Sequence, residues 1–281
     1  MFLHLSKCAG TSMLDTLAYR GFADFTLKLP RGLATASACG AAVSPKCCWW
    51  RERLHNMSLR GQQVKILQQE PANEVDWIDL DVAGRVARST DPGFDAATDA
   101  CPDDLAYLTV LRAPLARVKS HMCEIGAHCG MWLDPDVRRR GHVTTQLRDN
   151  YYVRALGGAD AWRAAEGALE RRHLLAAART LAGFDVVMTV ETLASDAPAQ
   201  MGRVGLPGFQ WRRGFARSRA DNLQRATEAP WLRTAGVASC EVPPTATQLR
   251  RLVAASAWDA VLYEFARVLA ARRTKAAGQS G

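Results

Sequence analysis

The sequence lacks the long apolar runs, the cysteine density and the proline–glycine repeats that define several classes of protein. No stretch reaches the roughly 18 apolar residues that a membrane-spanning helix needs. The 281 residues include only 8 cysteines, 12 prolines and 21 glycines, which excludes small disulfide scaffolds and collagen-like chains. There is also no long Lys/Arg tract and no basic stripe interleaved with aromatic residues, so we expect no nucleic-acid partner.

The composition that is present is that of a basic globular protein. Hydrophobic residues make up 48% of the chain and charged residues 23%, which is enough apolar material for one large core. Lys and Arg exceed Asp and Glu, 36 to 28, and give a formal net charge of +8. This excess favours anionic partners such as nucleotides and sulfated or carboxylated glycans.

Short apolar runs predict four β-strands, and helical patterns lie between them. The runs are Phe2–Leu5, Val64–Leu67, Tyr107–Leu111 and Phe184–Val190, and the last two are nearly continuous and rich in β-branched residues. Such runs are typical of parallel strands that are buried on both faces. We therefore predict an α/β fold, a single P-loop-like domain with a central parallel sheet and helices on both faces.

Two long helices are predicted in the second half of the chain. An Ala-rich stretch predicts a helix over 160–182 with Asp160 as its N-cap. Thr245 and Gln248 form the pattern of a capping box, and a helix over 246–272 follows them. Apolar side chains repeat at helical spacing in this last helix and are expected to pack on the domain: Leu249, Leu252, Val253, Val261, Leu262 and Phe265.

Cysteine and histidine cluster in the stretch "HMCEIGAHCG". It holds His121, Cys123, His128 and Cys129, but their spacing fits no familiar zinc module. We therefore predict structural thiols or a disulfide here, and no metal site.

The stretch "SKCAGTS", which follows the first predicted strand, has the character of an anion-binding loop. A strand, a tight loop and a helix N-terminus direct free backbone N–H groups and the helix dipole at a ligand. Gly10 permits close approach, Thr11 and Ser12 supply hydroxyls, and Lys7 supplies a charge. In an ATPase P-loop the lysine follows the last glycine, whereas here it precedes the glycine. The short loop therefore suits one phosphate better than a triphosphate.

A second stretch, "YLTVLRAPLARVKSHM", predicts a buried strand that ends in Arg112 and a helix that begins at Pro114. Together the two stretches closely resemble the cofactor motifs of the sulfotransferase superfamily, which uses 3′-phosphoadenosine 5′-phosphosulfate (PAPS), and in particular its carbohydrate-sulfotransferase branch. In that family the first motif, often K-x-G-G-T-S, holds the 5′-phosphosulfate. The second, L-R-D-P-x-x-R-x-x-S, holds the 3′-phosphate.

The resemblance implies a PAPS site whose residues can be read off position by position. The first motif maps onto Lys7, Cys8, Ala9, Gly10, Thr11 and Ser12. The second maps onto Arg112 and Ser120, with Arg117 at the inner arginine. The sequence departs from the family twice, because Ala9 replaces a glycine and Ala113 replaces an aspartate that would cap the helix.

Three later stretches extend the likeness to the carbohydrate branch over most of residues 1–272. They are "LRDNYYVRALGG", "GFDVVMTVETL" and "WDAVLYEFA". The predicted sulfotransferase domain spans 1–273, and a disordered tail follows at 274–281. The first residues lack the basic and long apolar regions of a signal peptide. We expect a cytoplasmic protein if the chain is complete, and a protein of the Golgi lumen if an N-terminal anchor is missing.

The resemblance also implies a reaction and a set of roles. The sulfuryl group of PAPS would pass to a hydroxyl or amine of an acceptor, such as a glycan or a small metabolite, by in-line displacement without a metal. Lys7 would stabilise the charge on the leaving oxygen. In the family the general base is a Glu or His, often near the end of the second strand; Glu70 is the first candidate, followed by His55 and His121.

The sequence leaves open the role of one basic stretch and also two alternative functions. Arg212, Arg213 and Arg217 either close over the nucleotide, guide an acidic acceptor, or form a solvated basic loop. The chain could instead be a P-loop nucleotide or sugar kinase. It could also be a non-catalytic sulfotransferase-like module that binds a nucleotide or a glycan.

Overall fold

The computed structural model describes residues 2–3, 8, 26–28, 66–69, 106–124, 127–134, 144–206, 208–211 and 242–278, and the structural statements below concern these residues. They form a mixed α/β structure in which helices predominate over a parallel sheet. In this part of the chain no helix combines the length and the apolar character needed to cross a membrane.

The sheet is formed by short parallel strands, of which β4 and β5 are the most fully paired. The strands are β1 Phe2–Leu3, β2 Thr26–Lys28, β3 Ile66–Gln69, β4 Leu108–Leu111 and β5 Val186–Thr189. Their order is β2-β3-β1-β4-β5, and each neighbouring pair is parallel. A strand is found in each of the four predicted regions: β1, β4 and β5 lie within the predicted bounds, whereas β3 overlaps the predicted Val64–Leu67 only at Ile66 and Leu67. β2 was not predicted, because the residues around it have no clear period.

The helices lie mainly in the second half of the chain. In chain order they are α1 Pro114–Glu124, α2 Cys129–Leu133, α3 Thr145–Arg148, α4 Tyr151–Leu156, α5 Gly158–Arg163, α6 Arg171–Ala182, α7 Leu193–Arg203, α8 Ala246–Ala255 and α9 Ala257–Gly278. The predicted helix start at Pro114 is confirmed.

Side chains of β4 and β5 alternate between two apolar clusters. Leu111 and Val187 belong to a cluster with residues of α4, α6 and α9. Val110, Val186 and Met188 belong to another, formed with residues of α7 and with Phe209. Because successive strand residues point to opposite faces, the β4–β5 pair contributes side chains to one apolar cluster on each face. This explains why both strands are almost continuously apolar.

The predicted continuous helix over 160–182 is wrong, because the chain leaves the helical path after Arg163. The new helix α6 starts with Glu170 as N-cap, and a capping box joins the side chains and backbones of Glu170 and His173. Asp160 is not an N-cap; it lies inside α5, and its carboxylate is 3.2 Å from Nε2 of His173.

The physical reason for the interruption is the buried guanidinium of Arg154. It donates hydrogen bonds to the carbonyl oxygens of Ala161, Ala164 and Ala165. Ala164 is the C-cap of α5, so two of these carbonyls lie beyond the last helical residue. Gly167 then takes a positive φ of 76°, which favours glycine. A tertiary contact thus overrides the helix propensity of the alanines.

The C-terminal region consists of two helices, which break at Ser256, instead of one. The predicted capping box of Thr245 and Gln248 is confirmed, with each side chain accepting a hydrogen bond from the other residue's backbone N–H. Helix α9 continues to Gly278, so residues 274–278, which the sequence assigned to a disordered tail, are helical.

The apolar face predicted for this region packs only in part. Leu252 and Leu262 are buried, as expected. Four of the named side chains are exposed instead: Leu249, Val253, Val261 and Phe265. Because the helix breaks at Ser256, α8 and α9 do not share one continuous apolar face. The apolar residues that α9 buries are Leu262, Tyr263, Ala266 and Ala270.

Asn150 and Asp259 cap each other's helices. Asn150 precedes α4 in a left-handed conformation (φ 49°), and its Oδ1 accepts hydrogen bonds from the backbone N–H groups of Trp258 (2.8 Å) and Asp259 (3.2 Å) in α9. In return, Oδ1 of Asp259 accepts from the N–H of Val153 in α4 at 3.0 Å. The exchange satisfies otherwise unpaired N–H groups at both helix starts and fixes α4 against α9.

The Asp259 carboxyl gives folding a specific pH dependence. Burial raises its pKa to about 6 from 3.8, against the lowering effects of the Arg117 charge and the hydrogen bonds from the Val153 and Tyr152 N–H groups; the Asp149 charge adds to the rise. The protonated form is therefore favoured by folding. Its stabilisation is full below pH 3.8 and is lost as pH rises through about 6.

We expect the free energy of unfolding of the wild type, measured relative to that of Asp259→Asn, to fall by up to about 3 kcal/mol as the pH rises from 4 to 6. The asparagine keeps an oxygen for the Val153 N–H but does not titrate. Urea unfolding of both proteins across pH 3.5–7 measures the difference. A difference that stays constant over this range would show that Asp259 does not titrate there.

Candidate functional site

The structure describes only some of the predicted site residues. Cys8, Arg112 and Ser120 are among the described residues, as are Arg117 and His121. Other predicted site residues lie outside them: Lys7, Ala9, Gly10, Thr11, Ser12, His55, Glu70, Arg212, Arg213 and Arg217.

Strands β1 and β4, which precede the two sequence motifs, are neighbours in the sheet. Phe2 pairs with Leu108 and Leu3 with Thr109 in a parallel register. The carboxyl ends of β1 and β4 therefore lie at the same edge of the sheet. The carboxyl ends of parallel strands are where ligands bind in open α/β sheets.

The hydroxyl of Tyr152, on α4, joins the two segments. Its oxygen is 3.1 Å from the Sγ of Cys8. It donates a hydrogen bond to the carbonyl oxygen of Arg112 (2.7 Å) and accepts one from the Arg112 N–H (3.1 Å). Either group can donate the hydrogen bond between the Cys8 thiol and the Tyr152 hydroxyl. A residue of the first motif and one of the second thus share a single partner.

The Cys8 thiol is kept in its protonated form. Burial raises its pKa to about 11, which outweighs the lowering by the Tyr152 hydrogen bond and by the charges of Arg117 and Arg112. Burial also raises the pKa of the Tyr152 hydroxyl well above its ordinary value, and the neighbouring Cys8 adds to the shift. Because the thiolate is the reactive form of cysteine, Cys8 is suited to a structural contact and not to nucleophilic attack.

The carboxylate of Glu191, which follows the C-terminal end of β5, lies at the start of α1. Glu191 accepts a hydrogen bond from the N–H of Ala113 (3.0 Å) through Oε1, and from the hydroxyl of Tyr263 (2.7 Å) through Oε2. Ala113 stands where the sulfotransferase motif has an aspartate. Glu191 therefore supplies, from another element, a carboxylate at this helix N-terminus, where negative charge is favourable.

Arg117 supports the site from the core. Its side chain is buried, its Nη2 donates to the carbonyl oxygen of Leu147 (2.7 Å), and its guanidinium carbon is 4.6 Å from the ring centroid of Tyr151. The ring of Tyr152 is 6.0 Å from the same carbon. Both distances are within the range of cation–π contacts. Arg117 thus packs against the rings of Tyr151 and Tyr152 and stabilises their positions.

The other described candidates lie further along α1. Ser120 is half-buried, about two turns after Pro114. His121, the third candidate for a general base, is buried, with its ring centroid 5.3 Å from that of Trp132.

The cysteines of the "HMCEIGAHCG" stretch differ from each other in state. Cys123 is disulfide-bonded, whereas Cys129 is free and buried. Cys8 is also free. Within the described ranges no group of three or more His, Cys, Asp and Glu side chains could hold a metal ion.

Tyr152 and Glu191 were missed as site residues by sequence reasoning, although both lie in stretches that carry the family resemblance. The stretches "LRDNYYVRALGG" and "GFDVVMTVETL" resemble the family and could have drawn attention to these two residues. Nothing in their spacing shows that their side chains reach the Arg112–Ala113 segment. No protein-family model, no curated protein and no solved structure matches the chain, so the site is interpreted from its own residues.

Proposed function

We propose that the protein is a PAPS-dependent sulfotransferase that transfers the sulfuryl group to a hydroxyl or amine of a glycan or small-molecule acceptor. The observation that carries the proposal is the shared contact of Cys8 and Arg112 with Tyr152. It joins Cys8, in the stretch that has the character of an anion-binding loop, to Arg112, to which the family resemblance assigns the 3′-phosphate.

The chemistry of PAPS matches two adjacent anion sites. The molecule carries a 3′-phosphate and a 5′-phosphosulfate on opposite sides of one ribose, so its site needs two cationic clamps on neighbouring strands. Lys7 and the hydroxyls of Thr11 and Ser12 would hold the 5′ group. Arg112 and Ser120 would hold the 3′-phosphate.

Protein side chains act in this reaction mainly by charge and position. The Lys7 ammonium would neutralise the charge that develops on the bridging oxygen as adenosine 3′,5′-bisphosphate leaves. Glu70 would take the acceptor proton, with His55 and then His121 as the alternatives. Arg212 and Arg213 would contribute to nucleotide binding.

The proposal includes a single domain in which one central parallel sheet has helices on both faces.

Two other functions make different predictions about ligands. A nucleotide or sugar kinase would need magnesium and would prefer ATP to adenosine 3′,5′-bisphosphate. A non-catalytic module would bind the bisphosphate or heparin without transferring sulfate. Incubation with radiolabelled PAPS and a broad panel of acceptors separates the enzyme from the module.

We expect adenosine 3′,5′-bisphosphate to bind without magnesium, and Arg112→Ala to weaken its binding by about 1.5–3 kcal/mol. This is the scale of a lost hydrogen bond to a charged group. Isothermal titration calorimetry in EDTA measures both effects, with Arg179→Ala, an exposed arginine of α6, as the control. A requirement for magnesium, or tighter binding of ATP than of the bisphosphate, would show that the proposal is wrong.

A further inference from the structure

We propose that Tyr152 is a positioning residue that couples the two motifs: it holds Cys8 and the Arg112 backbone in a fixed mutual arrangement, so that a ligand with two anionic groups binds more tightly than its separate parts predict. The nucleotide part of this inference rests on the proposed function. The mechanical part, the connection of Cys8 to Arg112 through one hydroxyl, rests on the geometry alone.

The Tyr152 hydroxyl forms hydrogen bonds with the backbone of Arg112, the residue that follows β4. The last contact between β4 and β5 is the hydrogen bond from the Val190 N–H to the Leu111 carbonyl oxygen, at 2.8 Å. At the next residue, Arg112, both the N–H and the carbonyl bond to the Tyr152 hydroxyl. The orientation of the Arg112 peptide, and hence the origin of its side chain, is therefore set by Tyr152.

The hydroxyl is itself held in a fixed place. The Tyr152 side chain is fully buried, and its ring centroid is 5.8 Å from that of Tyr151. The first turn of α4, which carries Tyr152, is tied to α9 by Asn150 and Asp259. Cys8 and the Arg112 backbone are therefore bonded to the same fixed point, which sets their mutual arrangement.

The Cys8 thiol makes this coupling measurable without any ligand. It is buried and not disulfide-bonded, and its high pKa keeps it protonated and unreactive. When the Tyr152 hydroxyl is removed, the thiol loses one hydrogen-bond partner and keeps its hydrogen bond with the Arg112 backbone. Cys129 is also free and buried but lies in α2, in another apolar cluster. It serves as an internal control for general loosening of the protein.

The experiment compares Tyr152→Phe with Tyr263→Phe. Both remove one phenol hydroxyl near the start of α1, but the Tyr263 hydroxyl bonds to Glu191. Labelling by N-ethylmaleimide under native conditions, followed by peptide mass mapping, gives the rate at each cysteine. We expect Tyr152→Phe to speed labelling of Cys8 roughly tenfold or more, the scale of one hydrogen bond, and to leave Cys129 unchanged. Equal acceleration at both cysteines, or none at Cys8, would overturn the proposal.

The second measurement uses adenosine and three nucleotides: 5′-AMP, 3′-AMP and adenosine 3′,5′-bisphosphate. For the wild type we expect the bisphosphate to bind more tightly than predicted by the sum of the two monophosphate binding free energies less that of adenosine. In Tyr152→Phe this excess should fall roughly tenfold, while each monophosphate changes less. In Tyr263→Phe the excess should persist. An excess that is unchanged in Tyr152→Phe would contradict the coupling.

The outcomes separate this inference from the proposed function. If the wild type binds none of the three nucleotides, the proposed function fails, and the labelling result still decides whether Tyr152 holds Cys8. If Tyr152→Phe does not fold, Cys8→Ala and Cys8→Ser take its place. The serine keeps a hydroxyl that can donate to Tyr152, so it should retain the excess affinity that the alanine loses. The same loss in both variants would overturn the proposal.

Discussion

Replacement of Arg154 by methionine should lower the free energy of unfolding by about 3–5 kcal/mol, which is the scale for breaking a buried ion pair. The Arg154 side chain is fully buried. Its Nε donates to the Asp149 carbonyl oxygen at 2.7 Å, and its Nη2 pairs with the Asp149 carboxylate. Further bonds run to the carbonyl oxygens of Ala161, Ala164 and Ala165.

Most of this loss should come from the groups left behind. Methionine fills much of the volume, but the Asp149 carboxylate stays buried without its cation, and the alanine carbonyls lose their donor. Asp149 retains hydrogen bonds from the Asn150 side chain and the Gly167 N–H. Adding Asp149→Asn to Arg154→Met should therefore recover part of the stability, because it removes the uncompensated charge.

Urea unfolding measures these changes, and Arg172→Met provides the matched control. Arg172 also lies near carboxylates, at 3.6 Å from Asp160 and 3.5 Å from Glu170, but its side chain is 66% exposed. Exposed pairs of this kind contribute about 0–1 kcal/mol. An Arg154→Met protein that is as stable as Arg172→Met would show that the buried network does not hold the interruption between α5 and α6.

Lys7→Ala should lower kcat by about 10²–10³ for every acceptor, like the loss of an oxyanion-stabilising donor. The lysine is expected to act on the leaving group, which is the same whichever acceptor attacks. Initial rates with saturating PAPS and at least one alcohol and one phenol test this prediction. An unchanged rate would mean that the stretch "SKCAGTS" is not the catalytic loop.

Glu70→Gln provides the contrasting variant, because a general base acts on the acceptor and not on the leaving group. Its kcat should fall by about 10²–10⁴ with poorly acidic alcohols and much less with acidic phenols, which lose their proton unaided. Affinity for adenosine 3′,5′-bisphosphate should barely change. Equal losses with alcohols and phenols would remove Glu70 from this role, and His55 would be tested next.

Local patterns in the sequence predicted the elements that depend on local physics. The apolar runs at β4 and β5, the Pro114 helix start and the capping box of Thr245 and Gln248 are visible within a few residues of chain. Each reflects burial on two faces, a missing N–H or a neighbouring acceptor.

The remaining features depend on contacts between distant residues, which no local pattern contains. The Cys8–Tyr152 contact spans 144 positions, and the Ala113–Glu191 bond spans 78. The break after α5 was missed for the same reason, because alanine favours a helix wherever no side chain such as Arg154 competes for its carbonyl groups. The apolar face of α8 and α9 was overestimated because the break at Ser256 is not apparent from helical spacing.

The exchange of caps between Asn150 and Asp259 also affects the order in which the chain can fold during translation. The two residues are 109 positions apart, a stretch that a ribosome adds in about 5–20 s. During that interval the first turn of α4 has no Asp259 to accept its N–H groups, so Tyr152 is not yet held in place. Cys8, which contacts Tyr152, therefore acquires its final support only when α9 has been synthesised.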